Sequence, residues 1–187
     1  MNKTFNLKTS LAGAFTVAAM LALPAAHGAT MTKADYQAGK AGISAGYKAD
    51  KAACASFADN AKDVCVEEAK GKEKVARAEL EYGYTTKLSD QNKLLVAKAE
   101  SAYAVAKEKC DDKAGNDKDV CVKEAKAIEI KALADAKMGK QIGEAKADGA
   151  AEKRDADYKV AAEKCDALAG DAKSSCMAAA KLRFGKG

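Results

Sequence analysis

The chain has 187 residues, with 32 Lys and Arg against 27 Asp and Glu, a formal net charge of +5 and a hydrophobic fraction of 48%. Much of that fraction is alanine, which buries little area per residue, so a thick globular core is excluded. The charges are thoroughly mixed rather than gathered into a basic surface, and this composition gives no case for nucleic acid.

The first residues carry Lys3 and Lys8, a run of mostly small and apolar residues from Leu11 to Leu23, the chain's only proline at Pro24, and small residues around Ala26-His27-Gly28. This pattern is a secretory signal peptide over 1–28, with an apolar run shorter than the ~20 residues a membrane span needs. Its removal takes Lys3 and Lys8 with it and leaves a net charge of about +3. The mature product, 29–187, is expected to be soluble, exported and without a transmembrane segment, in the periplasm or secreted.

From there on the text is Ala, Lys, Glu, Leu and Met, the strong helix formers. Apolar residues step by three and four, as in Val96, Ala99, Tyr103, Ala106 and Cys110. Cys121, Ala125, Ile128 and Ala132 follow the same rhythm, and so do Tyr158, Ala161, Cys165 and Leu168. Such a seam predicts an all-α, coiled-coil-like fold in which small residues bring helices close together. Glu68 with Lys72, Glu73 with Arg77 and Asp119 with Lys123 lie at helical spacing, where an ion pair adds ~0.2–0.5 kcal/mol and a solvated face is the commoner outcome.

Three segments repeat in order: "CASFADNAKDVC" from Cys54, "CDDKAGNDKDVC" from Cys110 and "CDALAGDAKSSC" from Cys165. Each follows a tyrosine (Tyr47, Tyr103, Tyr158) and is followed by an Ala-Lys pair (Ala69-Lys70, Ala125-Lys126, Ala180-Lys181). Duplication of one supersecondary unit accounts for this, with repeats at about 36–87, 88–142 and 143–184.

The cysteine spacing dictates the shape of that unit. On one unbroken helix Cys110 and Cys121 would lie roughly 16 Å apart, at 1.5 Å per residue. A disulfide needs Cα atoms about 4.4–6.8 Å apart, so the chain must reverse between them. Gly115 and Gly170, with Asp59 in the first repeat, suit a left-handed position closing the incoming helix. Asn60, Asn116 and Asp171 are expected to cap the outgoing one, with Asp63 and Asp119 in its first turn. The predicted unit is a helical hairpin clasped by a local bond: Cys54–Cys65, Cys110–Cys121 and Cys165–Cys176. An oxidising compartment lets such bonds persist.

Between the tips the helices are long. One possibility is continuous helices of roughly 80 Å with disulfide tips at alternating ends. Only Gly71, Gly83 and the stretch Thr85 to Asp90 weaken the first interval, and Gly139, Gly143 and Gly149 the second, so the other possibility is one break per interval, recurring at the equivalent positions Gly83 and Gly139. Long antiparallel helices, with possible kinks, are favoured.

Chemistry at the cysteines or elsewhere finds little support. Zinc spacing of the C-x2–4-C type and partner histidines are absent. Ser174 and Ser175 have no internal histidine to serve as base, and Asp111-Asp112 read as solvated tip charges rather than a calcium loop. No catalytic residue, metal site or cofactor is expected.

The Ala/Lys/Glu/Asp-rich text, for instance "CVKEAKAIEIKALADAKMGK", resembles the helical region of TolA-like cell-envelope proteins. In Ala, Lys and Asp content it is also similar to late-embryogenesis-abundant stress proteins. Both resemblances are compositional, cover most of the mature chain and carry no functional residue across. They imply a non-enzymatic structural, scaffold or stress-protective protein of the bacterial cell envelope, with envelope proteins or unfolded clients as partners. The alternatives are a periplasmic chaperone-like module and a thiol-based metal or redox protein.

Overall fold

The computed structural model describes residues 31–186, so the expected signal peptide at 1–28 lies outside the described residues. The first helix, α1 (Lys33–Ala53), opens on a reciprocal cap. The Asp35 amide donates to the Thr32 hydroxyl at 3.1 Å, and the Thr32 amide donates to the Asp35 carboxylate at 3.2 Å. A short 3-10 turn, Cys54–Ser56, leads to α2 (Asp59–Thr85), α3 (Leu88–Cys110), α4 (Gly115–Asp166) and α5 (Gly170–Phe184). Among the described residues each helix packs only on its neighbours in sequence: α1 on α2, α2 on α3, α3 on α4, and α4 on α5. The fold is therefore a single layer of antiparallel hairpins, quasi-one-dimensional in the manner of a repeat protein. No helix among the described residues is long and apolar enough to cross a membrane.

The core is as thin as the composition demands. Among the described residues its buried apolar side chains are cysteines and alanines alone, including Ala69, Ala125 and Ala180, the alanine of each repeated Ala-Lys pair. The apolar seam departs from the sequence expectation in two places. Ile128 is 66% exposed and Leu168 44% exposed. On α4 the side turned to α3 is instead centred on Ala125, Glu129 and Ala136, all buried, and Glu129 is paired with Lys126. Of the expected intrahelical ion pairs, Arg77 does reach Glu73 at 2.7 Å. Asp119 and Lys123 form no such pair, whereas Lys72 and Glu68 find partners on other helices, Asp50 and Lys109, each at 2.8 Å.

The two intervals between tips differ, which neither uniform alternative anticipated. The first reverses at Thr86–Lys87, giving α2 and α3; the second runs unbroken through α4, 52 residues or about 78 Å. Gly83 lies inside α2 and Gly139 inside α4, and neither marks a bend. The extra reversal puts the first two disulfide tips at one end of the layer and the third at the other, so they do not alternate. The repeat boundary expected at 142/143 falls inside α4.

A polar clamp explains the difference. Thr86 adopts a left-handed conformation (φ 55°), which is uncommon for a β-branched residue. Beside it the Thr85 hydroxyl donates to Asp90 at 2.6 Å and accepts from the Lys87 amide at 3.3 Å, while Lys93 pairs with Asp90 at 2.8 Å. At the spacing that relates Gly83 to Gly139, the corresponding residues are Gln141, Lys146 and Gly149. No clamp can form there, and the left-handed position would fall on Ile142.

Asp90 is buried at this turn, and the Lys93 ammonium, then the Thr85 hydroxyl, hold its carboxyl below the ordinary carboxylate value. A value lowered on folding contributes stability above the unfolded-state value, and that contribution is lost as pH falls through the folded-state value. Acidification is therefore expected to speed hydrogen exchange at the Thr86–Asp90 amides beyond the intrinsic rate change. Asp90→Asn should abolish that extra response while leaving α5 unaffected; an unchanged response in the variant would rule the clamp out.

Candidate functional site

The three disulfide tips share one geometry. Cys54, Cys110 and Cys165 stand at the ends of their incoming helices, each 1% exposed. An alanine in extended conformation follows, Ala58, Ala114 or Ala169, with φ of −121°, −128° and −129°. Asp59, Gly115 and Gly170 then turn left-handed, at φ 48°, 53° and 57°. The outgoing helix places Cys65, Cys121 and Cys176 in its second turn. The bonded pairs have Cα–Cα distances of 5.6, 5.7 and 5.6 Å, and no cysteine among the described residues is free.

The expected placement of the caps needs correction. The left-handed residues open the outgoing helix rather than close the incoming one, so the tip is longer than two residues. The N-caps are Ala58, Ala114 and Ala169, with no side-chain cap bond. Helical bonding begins at the alanine carbonyl, as in Lys62 N–H to Ala58 at 3.3 Å. That puts Asn60, Asn116 and Asp171 inside the first turn, past the position from which a side chain caps. Asn60 reaches across instead, donating to the Glu108 carbonyl at 3.1 Å. The second and third tips are also closed by equivalent ion pairs, Lys118–Asp111 and Lys173–Asp166, both 2.9 Å.

No family model, curated protein or solved structure matches the chain.

Tyr103 and Tyr158, from the repeated tyrosine positions, are half-buried between paired helices. Lys126 lies over the Tyr103 ring, 4.7 Å from its centre, and Tyr158 meets Phe184 edge-on at 6.4 Å. Tyr47 is likewise half-buried. The Ser174 hydroxyl donates back to the Gly170 carbonyl at 3.4 Å, a local bond within α5. Among the described residues no group of three or more His, Cys, Asp or Glu is placed to hold a metal ion.

Two shallow grooves run along the layer. One, about 540 Å³, lies between α2 and α3 over Gly71, Val75, Ala102, Val105 and Ala106, with Glu68 and Lys109 at its rim. The other, about 560 Å³, lies between α4 and α5 over Val160, Ala161, Ala179 and Phe184. Apolar side chains also stand out at tips on opposite ends of the layer, Phe57 at 52% exposure and Leu168 at 44%. The repeat frame signals that these two positions correspond, and the reversal at Thr86–Lys87 is what sets them at opposite ends.

Proposed function

We propose that the chain is an exported, non-enzymatic scaffold or spacer of the bacterial cell envelope. The observation that carries this reading is α4. A single helix of 52 residues, about 78 Å long, joins a four-helix layer at one end to a disulfide-clasped hairpin at the other. Three local disulfides suit an oxidising compartment and hold together helices that bury little but alanine. The exposed Phe57 and Leu168 offer attachment points at the two ends. The compositional likeness to TolA-like envelope proteins agrees with this reading.

A second reading, a chaperone-like module for unfolded clients, is favoured by the apolar groove over Val75 and Val105. The two are separated by photo-crosslinking groups placed at Phe57 and at Leu168 in cells, combined with an aggregation assay on a denatured client. A spacer is expected to capture a discrete partner at each end and to leave aggregation unchanged. Diffuse crosslinking together with suppressed aggregation would replace it with the client-binding reading.

A further inference from the structure

One side of α4, away from α3 and bordering the α4–α5 groove at Asp157, Val160 and Lys164, has no further helix against it among the described residues, although the same side of α2 is covered by α3. In that covered contact Lys98 pairs with Glu79 at 2.9 Å and Lys109 with Glu68 at 2.8 Å. One repeat later these residues become Lys153, Asp135, Lys164 and Glu124. All four lie on α4 and form no ion pair among the described residues. The residues for a further helix contact are present, but the unbroken α4 keeps its two halves apart.

We infer that a second copy of this chain occupies this side, with the two α4 helices antiparallel about a two-fold axis at Glu144. The register comes from the sequence. Asp135 and Lys153 lie nine residues either side of Glu144, and Glu124 and Lys164 lie twenty. One axis therefore forms every such pair, twice over, because an isologous contact sets residue i against j and j against i. The same axis sets Lys131 against Asp157, thirteen residues either side and also unpaired here. It also sets Ile128 against Val160, whose exposures are 66% and 56%. At 100° per residue these eight side chains fall within an arc of roughly 80° on α4. Ala125 and Ala136, which face α3, lie outside that arc.

The result is an exchange of hairpins. The later half of each α4, carrying its α5, takes against the other copy's earlier half the place that α3 takes against α2. This is domain swapping, with the reversal at Thr86–Lys87 opened into continuous helix at Ile142–Gly143. It also gives a neighbour to residues 144–154. These lie between Gly143, where a Cβ would stand 3.1 Å from Leu88, and Asp155, which Lys186 reaches at 2.6 Å. Alone, a helical stretch of that length is marginal in water.

The test is the mass of the oxidised mature chain by light scattering at micromolar concentration and low salt. Twice the chain mass is expected. Lys153→Glu with Lys164→Glu should return it to the single-chain value with an unchanged helical circular dichroism spectrum. Adding Asp135→Lys and Glu124→Lys to the same chain should restore the doubled mass. In a mixture of isotopically light and heavy chains, carbodiimide should link Asp135 of one isotope to Lys153 of the other. A single-chain mass for the unaltered protein overturns the inference. So does failure of the charge exchange to restore the pair, or an Asp135–Lys153 link found only within one chain, which would mean that α4 folds back on itself at Ile142–Gly143.

Discussion

Removing the last disulfide, with Cys165→Ala and Cys176→Ala together, is expected to release α5 from the fold while the other helices persist. The hairpin reversals cost chain entropy, and closing a loop of this size offsets about 3 kcal/mol of it in the chain-entropy model. Little else holds α5. It is 15 residues long, with Ala180 its only buried residue, and Leu182 is 85% exposed. A helix of this length is marginal without packing, and among the described residues α4 is the one helix it packs on. Losing ~3 kcal/mol raises the opening constant by on the order of a hundred-fold. Hydrogen exchange should then show α5 amides losing nearly all protection, while those of α2 and α3 change little because no contact carries the effect that far. Far-ultraviolet circular dichroism should fall by the share of one short helix. Retention of α5 protection within a few-fold would mean that its packing, rather than the bond, keeps it in place.

That same dependence on local bonds is why the sequence revealed so much of the tips. Two cysteines separated by ten residues cannot meet on a straight helix, so the spacing alone requires a reversal and local pairing. The left-handed residues were legible as well, since Gly115 and Gly170 have no Cβ to strain. The helix boundary beside them was not. Asn60, Asn116 and Asp171 are good caps by type, but the chain begins its helical bonding at the alanine two residues earlier. The reversal at Thr86–Lys87 falls in the stretch Thr85 to Asp90 where the helical pattern weakens, but that weakening alone did not mark it as a stop. No glycine or proline marks it, and it depends on Thr85, Asp90 and Lys93 acting together across the turn. Gly139, Gly143 and Gly149 in turn did not stop α4. A glycine in a helix interior costs only about 1 kcal/mol and ends nothing unless another conformation is better held. The exposed side of α4 follows directly from that difference, which is why reading Ile128 as a seam residue failed.

Ala150→Pro is expected to divide the molecule into two folded parts joined by a flexible segment. Proline in a helix interior costs about 3 kcal/mol, because it loses a backbone hydrogen bond and clashes with the preceding turn. Elsewhere on α4 the neighbouring helix or a disulfide could hold the backbone in register despite that cost. Residues 144–154 have no such support among the described residues of one chain, because α3 ends its cover at Gly143 and the residues after α5 reach back only to Asp155. The experiment belongs in the Lys153→Glu, Lys164→Glu background, so that pairing of two copies does not splint the break. Small-angle scattering should show a shorter and broader distribution of end-to-end distances than the same background without proline. Limited trypsin should cut at Lys146 or Arg154 and leave two fragments, each held by its own disulfides and each still helical. Hairpins that touch only their neighbours have no contact across 144–154 to lose, so both fragments should melt close to where they do in the intact chain. If one fragment unfolds on separation, the two ends of α4 share stabilising contacts that a single layer of helices cannot supply.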